Sequence, residues 1–206
     1  NLADGNADIV SGGAGIDTLT FDIEVSDQLT GGAGADVFLM DDDTDTSFAG
    51  AVITDLTTED DLDLDESTLE VNTVGGAAIA ELTDFAGADI TGAQDLTFAS
   101  ISADNTAITT GDIGVITGKT YASITEVLAD ILTAGERTFT AASNYTDEDG
   151  ILLAYELTSG GVELALFAHN GGGNASSNSM DAADVIVTLQ GVTATSLLTM
   201  DIDLVA

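Results

Sequence analysis

Apolar residues recur along this chain in short runs bounded by Gly and Asp, and at one place they alternate strictly with acids. In the segment DLDLD (61–65) Leu and Asp take turns, so an extended backbone sets an apolar face against a carboxylate face. ILLAYELTSGGVELALFAH (151–169) has two long apolar runs around Ser159-Gly160-Gly161 and predicts a hairpin; DVIVTLQGV (184–192) predicts a further strand. Between residues 70 and 118 small and β-branched residues dominate. There ELTDFAGADI and QDLTFASISADNTAITT predict short strands between Gly and Asp turns. One segment has the helical period instead. ASITEVLADIL (122–132) carries Ile124, Val127, Leu128, Ile131 and Leu132 as one stripe, with Ser123 and Glu126 at capping-box spacing and Gly135 as its stop. The stripe is read as core packing. A mainly β fold with one short α-helix near 123–133 follows.

The first forty residues break this pattern with glycine. GGAGIDTLT (12–20) is answered by GGAGADVFL (31–39), and a GGxGxD phrase is expected by chance on the order of 0.04 times in a chain of this composition. Asp8, Asp17, Asp27, Asp36, Asp45 and Asp55 follow one another at gaps of 9, 10, 9, 9 and 10. The first four form the firm part of this ladder, because Asp is common here and the turns at Asp45 and Asp55 lack the glycines. The extra residue of the nineteen-residue interval falls near Asp27. Glycine admits backbone conformations closed to other residues, so successive carbonyls can converge on one centre. The Asp closing each turn adds a charged oxygen, and Leu19, Leu29 and Phe38, two residues after an Asp, start short strands. Oxygen-only donors in a flexible loop suit calcium better than zinc or copper; magnesium prefers its own waters and a stricter octahedron.

These nonapeptides resemble the GGxGxDxUx repeats of the RTX (haemolysin-type calcium-binding repeat) proteins. The resemblance implies a short parallel calcium β-roll at the N-terminal end, running into a β-rich domain of β-helix or sandwich type. It implies calcium held between Gly12, Ala14 and Asp17 of one turn and Gly32, Gly34 and Asp36 of the next, with Asp8 and Asp27 on the opposite edge. The segment VITDLTTEDDLDLDES (52–67) is similar to the acidic stretch that closes such arrays. Asp55, Asp61 and Asp63 are candidates for a further calcium there, with a merely solvated acidic face as the equal alternative. The division expected is 1–66 for the roll and its closing segment, and 67–206 for the β-rich domain. The ending DAADVIVTLQGVTATSLLTMDIDLVA (181–206) resembles the C-termini of type I-secreted RTX proteins, bacterial surface-layer proteins among them, and DIDLVA resembles a type I secretion signal.

Charge narrows the functions further. The 206 residues include 37 acids and 2 bases, a net charge of −35, with no Lys or Arg before Lys119. Such a field repels nucleic acid and anionic membranes and opposes compaction, so cations are the natural counterweight. An acidic, solubilising surface of the halophile kind is the competing explanation. A hydrophobic share of 44% supports a packed core, and no apolar run is long enough to insert in a membrane as a helix. Cys and Pro are absent, which removes disulfides and thiol chemistry. His169 stands alone, without an HExxH or GxSxG arrangement, and reads as a strand-end histidine; no enzyme activity is expected.

Three functions remain. The first is an extracellular or cell-surface structural protein of surface-layer or matrix type. Calcium folds and assembles it into a lattice or filament, with a cell-surface polysaccharide as a further partner. The alternative is the calcium-folded C-terminal secretion module of a larger secreted enzyme, toxin or adhesin. A halophilic carbohydrate-binding or adhesive module is the third.

Overall fold

The computed structural model describes residues 6–22, 26–40, 48–71, 73–74, 77–79, 81–104, 106–132, 137–140, 149–169 and 180–205. It is mainly β. The chain opens with six strands: β1 (Ile9–Ala14), β2 (Thr18–Phe21), β3 (Gln28–Ala33), β4 (Val37–Met40), β5 (Ala51–Ile53) and β6 (Asp61–Asp65). Helix α1 (Glu66–Val71) and the short strands β7 (Thr73–Val74), β8 (Ala77–Ala78), β9 (Glu81–Leu82), β10 (Gln94–Asp95), β11 (Phe98–Ile101) and β12 (Thr106–Ala107) follow. Then come β13 (Ile113–Tyr121), α2 (Ile124–Leu132), β14 (Phe139–Thr140), β15 (Asp149–Leu157), β16 (Val162–His169), β17 (Met180–Leu189), α3 (Ala194–Leu197) and β18 (Asp201–Val205).

The first six strands are three turns of a parallel coil. Odd strands β1, β3 and β5 pair in one sheet, and even strands β2, β4 and β6 in another, all parallel. Starts at Ile9, Thr18 and Gln28 show that the first coil divides into nine and ten residues, with the extra residue in the half around Asp27. Equivalent positions are 19 residues apart between coils one and two, and 24 apart between coils two and three. Period-two alternation sends Leu19, Phe21, Leu29, Phe38, Met40, Ile53, Leu62 and Leu64 into the space between the two sheets, where all are buried. Burial of one face on each sheet sets the register, since a slip of one residue would turn those side chains to water.

The fourth turn of this coil comes from the far end of the chain. β17 lies parallel to β5, with Val187 opposite Ala51 and Leu189 opposite Ile53. β18 lies parallel to β6 in register from Asp201 opposite Asp61 to Val205 opposite Asp65. The first sheet then continues through β16, β15 and β13 to β11, and the second ends β6–β18–β10. Both sheets therefore cross the 66/67 division expected from the sequence.

β15 and β16 form the predicted hairpin, Gly150 to Glu156 against Ala168 to Val162. They read as continuous apolar runs because both faces are covered. Leu152, Leu164 and Leu166 join the core shared with the coil, while Leu153, Tyr155, Ala165 and Phe167 join a second core beneath α2. Helix α2 places Val127 and Ile131 in that second core, with Ile124 and Leu128 partly buried against it. Its entry is not the expected capping box, for the Glu126 N–H donates to the Ser123 carbonyl at 3.0 Å. Glu126 reaches past Ser123 to accept the Ala122 N–H at 2.7 Å. Gly135 and Asp45 lie outside the described residues, as does NYTDE (144–148).

Candidate metal centre

The glycine phrases occupy the turns that join the odd sheet to the even one, and sterics account for four of their six glycines, Gly12, Gly31, Gly32 and Gly34. A side chain at Gly12 would collide with the Asp17 side chain at 2.8 Å, and one at Gly31 with Asp36 Oδ2 at 2.5 Å, because each closing Asp folds over its own first glycine. Gly32 and Gly34 have φ of 109° and 142°, and a Cβ there would lie 1.9 and 1.7 Å from the carbonyl oxygens of Gly13 and Gly15. Coil stacking thus demands glycine at 32 and 34, and the closing Asp of each turn demands it at 12 and 31. The oxygens facing across the gap are those of Gly13 and Gly15 from the first turn. From the second come Gly31 O, which crowds Gly12, and Ala33 O, which accepts the Gly15 N–H at 2.8 Å.

The Asp residues form a ladder of hydrogen bonds to the backbone. Asp36 Oδ1 accepts the Asp17 N–H, and Asp60 Oδ1 accepts the Asp36 N–H, both at 2.9 Å. On the opposite edge Asp27 accepts the Asp8 N–H at 2.9 Å and the Asp22 N–H at 3.3 Å. Asp27 and Asp36 are buried, and these amides compensate their lost hydration. Asp55 departs from the ladder expected. It stands where the earlier turns have their first glycine, and its two oxygens accept the N–H groups of Gly31 and Gly32 at 2.9 Å. The third rung is Asp60, whose other oxygen accepts both the N–H and the hydroxyl of Thr57 at 2.8 Å. Asp60 escaped the nine-residue count because the second coil, which precedes it, is five residues longer than the first.

A different cluster gathers on the outer face of the even sheet. Leu62, Leu64, Ile202 and Leu204 point inward, so Asp61, Asp63, Asp201 and Asp203 share the opposite face. β10 adds Asp95 opposite Asp203. Asp61, Asp201 and Asp203 each offer a carboxylate oxygen, all within 4.8 Å of one another. Asp61 Oδ1 and Asp203 Oδ1 are buried atoms without a hydrogen-bond partner. Partial burial, then the charges of Asp61, Asp201 and Asp95, push Asp203 up to about 6. Asp61 is raised by burial and by Asp63 and Asp201; Asp63 by burial and by Asp203 and Asp201. Two oxygens on one cation at about 2.4 Å can be up to about 5 Å apart, so the spacing fits a shared ion. Such donors select hard cations as a class and do not single out calcium.

Of the residues expected to bind metal, Gly12, Ala14, Asp17, Gly32, Gly34 and Asp36 meet in the stacked turns, and Asp8 and Asp27 on the other edge. Asp63 faces outward beside the cluster, while Asp55 binds the amides of the second glycine turn. Asp201 and Asp203 were missed. The available signal was the likeness of DIDLV to DLDLD, two alternating acidic strands that the fold lays side by side.

The fold and this site together define a mainly β protein built on a parallel coil, with a carboxylate cluster where β18 joins the coil at β6. Compared with known protein families, curated proteins and solved structures, the chain matches none. Among the described residues no helix is long and apolar enough to cross a membrane.

Proposed function

We propose that this chain is an extracellular, calcium-binding structural protein of surface-layer or matrix type, folded and assembled by calcium and without enzymatic activity. The observation that carries the reading is the carboxylate cluster of Asp61, Asp201 and Asp203. Its members are far apart in the chain, Asp61 on β6 and Asp201 and Asp203 on β18, so a cation there joins β18 to the coil. Without a cation the same residues repel one another and hold the two strands apart. Since the unfolded chain has no preformed site, binding free energy becomes folding free energy. Weak sites suffice at the millimolar calcium found outside cells.

Copies then associate into a lattice or filament, with a cell-surface polysaccharide as a further partner. The alternative, a calcium-folded C-terminal secretion module of a larger secreted enzyme, toxin or adhesin, draws on the place of DIDLV. As β18 it lies between β6 and β10, so it is free to be read only while the coil is open.

Circular dichroism and sedimentation in calcium and in EGTA test the reading. Calcium is expected to raise the melting temperature and to shift the sedimentation coefficient upward. Identical curves in the two buffers would refute it.

A further inference from the structure

The chain has a single lysine, and its partner is a buried acid rather than one of the many exposed ones. Lys119 lies in the stretch of β13 where pairing with β15 shifts between Ile116 and Thr120. Two residues on, Tyr121 takes the same face of the strand, and both side chains meet Asp130 of α2. Lys119 Nζ sits 2.9 Å from Asp130 Oδ2 and 5.4 Å from the centre of the Tyr121 ring. The Tyr121 hydroxyl donates to the same Oδ2 at 2.6 Å. Asp130 is only 9% exposed and Lys119 30%. Glu126, one turn earlier on α2, lines a cavity of about 300 Å³ together with Lys119, Tyr121 and Asp130.

These are the parts of an amide-forming site. Condensing an amine with a carboxyl group needs proximity, a donor at the oxygen where charge builds up, and a group that moves protons. A carboxylate C–O bond is about 1.2 Å, so Nζ is within about 4.1 Å of Asp130 Cγ, and a small turn of the carboxylate brings it to attack distance. Reactants held in this way act as if present at on the order of 10⁵–10⁸ M. Burial works in the same direction, because the ion pair keeps two partly dehydrated charges and the amide keeps none.

We propose that Lys119 and Asp130 condense to an intramolecular isopeptide bond that ties β13 to α2. Glu126 takes a proton from the Lys119 ammonium, and the freed lone pair forms the N–C bond at Asp130 Cγ. The Tyr121 hydroxyl holds Oδ2 while that oxygen carries the negative charge. Protons from the nitrogen, one of them by way of Glu126, pass to Oδ1, which leaves as water when the Cγ–Oδ1 bond breaks. The ammonium supplies both hydrogens of that water and keeps one on the amide nitrogen, so an ion pair becomes a neutral amide and water without any co-reactant. The chain has no cysteine, so no disulfide can do the same. The bond involves no calcium and stands apart from the calcium reading.

Tryptic mapping of the purified, denatured chain tests it. Trypsin cuts after Lys and Arg, and the chain offers only Lys119 and Arg137. An unlinked chain gives peptides 1–119, 120–137 and 138–206. A lysine acylated on Nζ is not cut, so the linked chain gives 138–206 and a 1–137 peptide lighter by one water, whose fragmentation places the link between 119 and 130. The wild type is expected to show the linked pattern, equally in calcium and in EGTA. Lys119→Arg keeps the charge and the cleavage site but cannot condense, and should give three peptides at full mass. Asp130→Ala should likewise restore cleavage after Lys119. Three full-mass peptides from the wild type would leave an ion pair only and overturn the bond. A water lost with cleavage after Lys119 intact is a succinimide elsewhere, and protection that persists in Asp130→Ala puts the link on another acid; either result also overturns it. None of these outcomes bears on the response to calcium.

Discussion

Replacing Asp203 by Asn should stabilise the protein in chelator and weaken its response to calcium. Asp203 is pushed up to about 6 by partial burial and by Asp61, Asp201 and Asp95, so the folded state holds its proton more tightly than the unfolded chain. A group raised in this way favours folding while protonated. That contribution fades as pH rises from the unfolded value near 4 through about 6. Above pH 6 the ionised Asp203 is a standing cost. At about 1.36 kcal/mol per pK unit it would be ~3 kcal/mol if dry, and screening at this partly solvated face reduces it to ~1–2 kcal/mol. The amide is nearly isosteric and carries no charge. In EGTA at pH 7.5 the variant should therefore melt ~3–6 °C above the wild type, with the advantage vanishing near pH 4. With calcium at a hundred times its dissociation constant the wild type gains about 2.7 kcal/mol, and the variant should gain much less. Differential scanning calorimetry from pH 4 to 8, in EGTA and in calcium, measures each quantity. A variant less stable than wild type in EGTA at pH 7.5, or a difference that ignores pH, would refute the electrostatic account.

The stacked turns give further tests. Asp36→Ala leaves the Asp17 N–H without its acceptor and should cost ~1–3 kcal/mol by urea denaturation in EGTA. Asp36→Asn retains an acceptor oxygen and should cost under ~1 kcal/mol there; a loss confined to calcium buffer would instead mark Asp36 as a ligand. Gly34→Ala places a Cβ 1.7 Å from Gly15 O and should cost ~3 kcal/mol or more, whereas Gly13→Ala, with open space around it, should cost only the ~1–2 kcal/mol of its positive φ. Equal costs would show that coil stacking does not constrain the phrase. Tyr121→Phe removes the 2.6 Å bond to Asp130 beneath α2 and should lower stability by ~1–2 kcal/mol without altering the calcium response.

Local features were legible along the chain. Alternation gave β6, two apolar runs gave the β15–β16 hairpin, the 3.6-residue stripe gave α2, and the repeated phrase gave the first two coils with their extra residue near Asp27. Counting failed at the third coil. A period of nine or ten led to Asp55, while the second coil is 24 residues long and the rung of the third is Asp60. Its turn, DLTTED, keeps the closing Asp and none of the glycines, so the phrase could not flag it.

The carboxylate cluster was the least visible feature. Asp61 was recognisable as an acidic position on an alternating strand, but its partners Asp201 and Asp203 lie at the other end of the chain. Periodicity tells which face of a strand a residue occupies, because the alternation of side chains is a property of the extended backbone itself. It does not tell which strand lies beside it. That choice belongs to the fold, where β18 closes the coil by burying Ile202 and Leu204 over the same core as Leu62 and Leu64. Burying that apolar face obliges the acidic faces of β6 and β18 to meet. The sequence by itself determined the strands, the helix and the glycine turns; tertiary packing alone decided where the charges would be concentrated.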